Sequence, residues 1–215
     1  MKKLVRFPII LLVTVLLAAC SSPFITNLIT PSGSILFQDD FSNYANGWSR
    51  VLESHGLMNY DNGGYRMWVN TPGYNYWSTA GQDFSDATIE VDATRVSGPE
   101  ENRFGIICRY QDAQNYYFFI ISSDGYMGIG KVFQGQTTLI GQDMMTRNTG
   151  ILSGEVLNHL KASCIGNNLY FYINGMPAAM TTDDDIPNGD VGLITGAFDT
   201  AGVDIMFDNF VVYKP

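Results

Sequence analysis

From residue 34 to the C-terminus the chain is a succession of short segments in which apolar and polar residues alternate, each closed by a turn signal. Among them are "SILFQDDF", "GYRMWVN", "ATIEVDATRV", "FGIICRY" and "NYYFFIIS". Then come "YMGIGKVFQ", "LNHLKASCIG", "NLYFYING", "DVGLITGAF" and "VDIMFDNFVVYK". Period-two alternation with β-branched and aromatic residues is the pattern of strands, because successive side chains leave a pleated backbone on opposite faces. Asn62-Gly63-Gly64, Asp124-Gly125, Gly166-Asn167-Asn168, Asn174-Gly175 and Asn188-Gly189 supply the turns. In "YINGM" the Asn-Gly pair tolerates the positive φ of a tight primed turn, so a hairpin is expected there. No stretch after residue 20 holds a helical period. About a dozen short antiparallel strands in one domain make a sandwich or a barrel, and two packed sheets are the better fit. "NYYFFIIS" carries aromatics on both faces, which places it mid-sheet with one side in the core and the other on a concave or covered surface.

The first twenty residues follow another rule. Lys2, Lys3 and Arg6 precede the apolar run "FPIILLVTVLLAA", which ends at Cys20. A basic stub, a short apolar middle and small residues at the end form a secretory signal, and the run falls short of the roughly 20 residues a spanning helix needs. "LAAC" at Leu17–Cys20 resembles the lipobox of bacterial lipoproteins. That resemblance implies cleavage before Cys20, lipidation of Cys20, and a chain held by acyl groups to the membrane at the extracytoplasmic face of a bacterial cell envelope. The expected division is a signal peptide over 1–19, a lipidated cysteine and tether over 20–34, and one β-sandwich over 35–215.

The whole chain carries 12 Lys and Arg against 21 Asp and Glu, a formal charge of −9. Loss of Lys2, Lys3 and Arg6 with the signal removes three positive charges and leaves −12. Such a surface repels nucleic acid and anionic headgroups. It suits neutral ligands, cations or basic surfaces, and the chain is expected to act as a monomer. Beyond Cys20 the cysteines are Cys108 and Cys164. In an exported protein such a pair points to a disulfide, with two buried thiols as the alternative. No His or Cys stands at ligand spacing to make the pair a metal site.

Five pieces together, "LFQDDFSNYANGW" (36–48), "FGIICRYQDAQNYYFFIISSDGYMGIGKV" (104–132), "NHLKASCIGNNLYFYINGMPA" (158–178), "IPNGDVGL" (186–193) and "VDIMFDNFVVY" (203–213), carry a wider likeness. The chain resembles the concanavalin A-like lectin/glucanase superfamily, in particular its bacterial laminin-G-like and 3-keto-disaccharide hydrolase-type branch. The resemblance implies a jelly roll of two antiparallel sheets with a saccharide-binding concave face. It also implies a bond between the cysteines of "CRY" and "ASC".

Glu90 and Asp92 lie two apart in "TIEVDAT", on the strand face opposite Ile89, Val91 and Ala93. Retaining glycosidases need two carboxyls about 5 Å apart, one a nucleophile and one an acid. The glucanases that this fold resembles use Glu-x-Asp-x-Glu on one strand, and here the third position is Thr94. Without it the strand has no acid/base, and a solvated polar face is the plainer reading. His55 and His159 sit in no Ser/His/Asp context, and His159 reads as a strand-surface residue.

Aromatic rings are the stronger binding signal, since they stack on sugar faces while amides and carboxylates hold hydroxyls. "NTPGYNYWST" offers Tyr74, Tyr76 and Trp77 in a segment that reads as a loop, with Trp68 upstream. Arg109, Tyr110, Tyr116, Tyr117 and Tyr126 are expected to add to the same face, with core packing as the alternative for each ring. A structural calcium is a further expectation, with Asp40, Asp208 and Asp39 as its nameable ligands against the six to eight oxygens that calcium takes. "TTDDDIPNGD" (181–190) lacks the spacing of a calcium loop and reads as a solvated turn. The expected function is a lipid-anchored, carbohydrate-binding sandwich that does not cut its poly- or oligosaccharide. A glycoside hydrolase using Glu90 and Asp92, and a structural or adhesion module, are the alternatives.

Overall fold

A computed structural model describes residues 32–215; the leader, Cys20 and most of the tether lie outside the described residues. Sixteen strands and no helix occur among the described residues. In order they are β1 (Ile35–Asp39), β2 (Val51–Glu53), β3 (Gly56–Asp61), β4 (Gly64–Val69), β5 (Asn75–Thr79), β6 (Ala87–Ser97), β7 (Asn102–Asp112) and β8 (Asn115–Ile121). They continue with β9 (Tyr126–Phe133), β10 (Gln136–Leu139), β11 (Thr146–Arg147), β12 (Leu157–Ile165), β13 (Asn168–Ile173), β14 (Met176–Thr182), β15 (Asp190–Ala197) and β16 (Val203–Tyr213).

The strands form two antiparallel sheets with crossed, jelly-roll connections. The first runs β14-β13-β12-β6-β16-β4-β3-β2, and the second runs β10-β9-β8-β7-β15-β5. In the first sheet β16 pairs with β6 along one side, while β4 and β1 share the other. The pairing of β1 sets Ile35 opposite Tyr213 and Asp39 opposite Phe210. In the second sheet β11 also pairs with β9, so the segment after β10 returns to the same edge.

Alternation decides what the sheets bury. Ile89, Val91 and Ala93 of β6 are fully enclosed, as are Tyr117, Phe119 and Ile121 of β8. Phe119 meets Phe171 of the other sheet edge to face, with centroids 5.7 Å apart. Truncating either ring to alanine costs about 3–5 kcal/mol by the usual core increment. Cys108 on β7 and Cys164 on β12 form a disulfide that staples one sheet to the other across 56 residues of sequence. Closing a loop of that length contributes about 4 kcal/mol in the chain-entropy picture. At one end of the sandwich Lys131 of β9 pairs with Asp183 and Asp185, which follow β14. The Tyr117 hydroxyl donates to Asp183 and accepts from the Ile186 N–H, so sheet and loop are tied twice.

All ten segments singled out by alternation are strands. The "YINGM" hairpin is present, with Ile173 opposite Met176 and Asn174 and Gly175 both at positive φ. Alternation missed β2, β3, β5, β10, β11 and β14. Of these β5 matters most, because "NTPGYNYWST" reads as a loop yet holds a full strand paired to β15. Its partner lies more than a hundred residues downstream, and no local signal announces that pairing.

Candidate functional site

The outer face of the second sheet is not a wet surface. Tyr116, Phe118 and Ile120 of β8 point outward, as do Ile107 of β7, Val132 of β9 and Ile194 of β15; all are nearly buried and form a second apolar cluster. The glycines Gly105, Gly128, Gly130, Gly192 and Gly196 fall on the same face at alternate positions. They leave room above the sheet floor. At Gly130 a Cβ would meet the Phe118 ring and the Thr138 carbonyl, and at Gly128 it would meet Gln142, Leu139 and Met145. The segment from β10 to β11 thus closes over one side, and Phe198 stands on the other. Between them lies a groove of about 720 Å³.

Trp77, half-buried on β5, forms a ridge at one end of the groove. Its ring stacks near Tyr116 with centroids 6.3 Å apart and planes at 28°, and its indole N–H donates to the Tyr110 hydroxyl at 3.2 Å. Tyr110 and Tyr116 are 5.6 Å apart. Burial, with Tyr110 beside it, pushes the Tyr116 phenol above its ordinary range, so it remains a neutral donor and acceptor. A second, smaller hollow lined by Tyr110, Gln82, Gln111 and Asn188 lies beyond the ridge.

Polar groups enter the large groove at its rim. Arg103 of β7 donates from Nε to Asn75 Oδ1 at 2.6 Å and lies 4.5 Å over the Phe198 ring. Burial lowers the proton affinity of its guanidinium. Thr137, Thr138, Gln142 and Asp143 line the far side, and Asp143 is the one carboxylate among the lining residues. Rings to stack on, with amide, hydroxyl and guanidinium groups around them, are what a sugar chain needs.

The structure does not gather the expected ligand-binding residues in one place. Trp77 borders the groove, stacked near its lining residue Tyr116. Tyr76, its neighbour on β5, points into the core and donates to Glu53 at 2.9 Å. Tyr74 stacks on His55 at 4.9 Å, ahead of the strand. Trp68, Glu90 and Asp92 are on the outer face of the first sheet, the opposite side of the sandwich. Arg109, expected to face a ligand, is 4% exposed and clamps loops instead: it donates to the carbonyls of Ser85, Ile186 and Gly166 and meets Asp86. Its φ of 53° and the break in register after Cys108 turn it out of the alternation that would aim it at the groove. Of the other expected rings Tyr110 and Tyr116 join Trp77, Tyr117 is in the core, and Tyr126 is exposed at the start of β9.

Glu90 and Asp92 are engaged with neighbours. Glu90 pairs with Lys161 at 2.9 Å, and Asp92 bonds His159 Nδ1 at 2.8 Å and Asn209 Nδ2 at 2.9 Å. Asp208 stands across the sheet from Asp92. Its carboxyl is pushed up by burial and by the charges of Asp92 and Asp40, against the Asn209 N–H that it accepts. Neither hollow described above includes these acids. Two of the residues expected to hold calcium are engaged within the protein. Asp39 spends its oxygens on the Phe41 N–H at 2.7 Å and the Trp48 indole at 2.8 Å, and Asp40 accepts from Ser42. Among the described residues no three His, Cys, Asp or Glu side chains converge as a metal site.

Sequence reasoning missed Arg103, Asn75, Phe198 and the whole β10–β11 wall. One signal was readable: glycines at alternate positions in "YMGIGKV" beside a strand with aromatics on both faces mark a face with space above it.

No protein-family model matches the chain, and no curated protein does. Solved structures do. A carbohydrate-binding module of Bacillus subtilis, CBM66, is 19% identical with a TM-score of 0.64, over 79% of this chain and 96% of the module. A Bacillus licheniformis β-glucanase is 12% identical with a TM-score of 0.57, over 83% and 97% of the two chains. A Bacteroides ovatus mixed-linkage glucan protein, GH16, in complex with product, is 10% identical with a TM-score of 0.59, over 83% and 100%. At these identities the likeness is one of fold, and the fold is that of the concanavalin A-like, glucanase-type jelly rolls.

Proposed function

We propose that this chain is a carbohydrate-binding, lectin-like module that holds its saccharide in the groove over the second sheet and does not cut it. The observation that carries the reading is the groove itself: an apolar, ring-lined floor with polar groups at the rim and a single lining carboxylate, Asp143. Both glycosidase geometries need two carboxyls facing one bond, one on each side of the sugar or about 5 Å apart. The likeness of fold to a module named for binding carbohydrate supports the choice. Lipidation at Cys20 and residence on the outer side of a bacterial membrane complete the proposal, on the "LAAC" pattern alone.

The test is a glycan-binding screen on the full chain in detergent, with product analysis of every hit. Retention of glycan with no released product is the expected result. Release of product, abolished by Glu90→Gln, would instead establish the hydrolase reading on the opposite face.

A further inference from the structure

We propose that the saccharide in this groove is acidic, a chain bearing uronate carboxylates, and that Arg103 reads those carboxylates. The proposal rests on the saccharide reading above and names its ligand class.

Arg103 is a fixed and incompletely used cation. Its Nε is held by Asn75 Oδ1 at 2.6 Å, and one face of the guanidinium is held by the Phe198 ring at 4.5 Å. These contacts set the plane of the group and leave Nη1 and Nη2 with no protein acceptor among the described residues. Neither nitrogen is a sealed, orphaned donor, so both reach solvent, and the residue lines the groove. No carboxylate comes within ion-pair distance of it, whereas Arg66, Arg95 and Arg109 each meet an Asp or Glu. The acidic surface as a whole repels anions, and this groove is the local exception: Arg103 is the one Lys or Arg that lines it, is half-buried, and has no carboxylate of its own. Asp143 lines the far side of the groove from the exposed segment between β10 and β11 and does not reach it.

The fold makes room for this arrangement. At Gly196, on the neighbouring strand β15, a Cβ would run into Asn75 Oδ1 and lie 2.6 Å from Arg103 Nε. Position 196 therefore carries no side chain where the Arg103–Asn75 pair sits. With Nε already engaged, the free edge of the guanidinium is the Nη1/Nη2 pair, whose parallel N–H bonds match the two oxygens of a planar carboxylate. Tyr116, the inner end of the ridge that runs to Trp77, lines the same groove as Arg103, so stacking and carboxylate recognition share one site.

Binding of the full chain is measured by calorimetry against three probes: a galacturonate hexamer, the same hexamer with its carboxyls reduced to alcohols, and a sulfated neutral hexasaccharide. The wild-type chain is expected to bind the uronate about tenfold or more tightly than its reduced counterpart, the size of a charge-assisted bidentate contact. Arg103→Gln is expected to bring those two affinities to within about twofold of each other, and Arg103→Lys to keep a smaller preference, since it keeps charge without the fork. The lysine variant carries the test if the glutamine variant does not fold. Equal wild-type affinity for the uronate and the reduced hexamer overturns the proposal and leaves the saccharide reading standing. Tighter binding of the sulfated probe than of the uronate overturns the carboxylate assignment. Binding of none of the three, with no hit in the wider glycan screen, overturns both readings.

Discussion

The Trp77 indole N–H donates to the Tyr110 hydroxyl at 3.2 Å, locking two rings from strands on either side of β15 into one ridge above the second sheet. The bond fixes the indole face that a sugar ring would meet. Trp77→Ala is therefore expected to weaken saccharide binding by about ten- to a hundredfold, as loss of one stacking platform does. The unfolding midpoint should move little, because the ring is only half-buried. Calorimetry and thermal unfolding on the same sample separate the two effects.

Gly196→Ala tests the rim from the other side. The added methyl meets Asn75 Oδ1 and Arg103 Nε, both side-chain atoms that can swing away. The variant is expected to fold, to break the Arg103–Asn75 bond, and to lose discrimination between charged and neutral glycans. Retained discrimination would show that this bond does not orient the guanidinium.

Arg109 gives the opposite signature. Three backbone carbonyls from separate loops depend on it, and its removal leaves that of buried Ile186 without a donor, while those of exposed Ser85 and Gly166 turn to water. Arg109→Met is expected to cost about 1–3 kcal/mol, the penalty for the one carbonyl that water cannot reach. Denaturant titration reads the loss directly. Binding by the fraction that remains folded should be unaltered.

The clasp at the end of the sandwich sets a pH dependence. Burial works against ionisation of Asp183, but Lys131, the Tyr117 hydroxyl and the Asp185 N–H outweigh it and hold the carboxyl below its ordinary value of 3.8. The clasp's contribution from Asp183 is thus full above the unfolded-state value and is lost as pH falls through the lower folded-state one. Burial also opposes the charge on Lys131, yet Asp183 and Asp185 raise it above 10.5. Its share is full below that value and is lost as pH rises through the folded-state one. Asp183→Asn is expected to cost about 2 kcal/mol at pH 7, with the gap to wild type closing well below pH 4. Unfolding curves at pH 7, 5 and 3 check it.

On the other face Asp208 has the reverse sign. Burial, Asp92 and Asp40 raise its carboxyl, so its charge works against folding at neutral pH and the cost lifts as pH falls. Asp208→Asn is expected to match or slightly exceed wild-type stability at pH 7, within about 0.5 kcal/mol. Chelation by EDTA should leave the wild-type midpoint where it was. A clear rise on adding calcium, abolished by Asp208→Asn, would place an ion among these acids after all.

Alternation in the sequence was enough to find the long strands, because burial on one face leaves a period of two that survives in any context. It also put Ile89, Val91 and Ala93 on the face opposite Glu90 and Asp92, as they stand. It could not say which sheet a strand joins. Trp68 and Trp77 look alike in sequence, nine residues apart, yet they lie on opposite outer faces because β4 pairs with β16 and β5 with β15. Nor could it separate Tyr76 from Trp77, since alternation tells that one is inward without telling which. Arg109 escaped because a break in register next to a left-handed residue resets the count. Arg103 escaped because its partners, Asn75 and Phe198, are distant in sequence and lie on either side of it.

The pairing of Ile35 with Tyr213 has a mechanical consequence. The chain leading into β1 enters at the end of β16 where that strand finishes, so tension applied through the preceding residues would peel β1 away one rung at a time rather than shear it. Drag on a captured polymer would be transmitted to this zipper first. The earliest event under load would be loss of the Ile35–Tyr213 rung, followed by the Phe37–Phe210 contact, with the disulfide-stapled body beyond still intact.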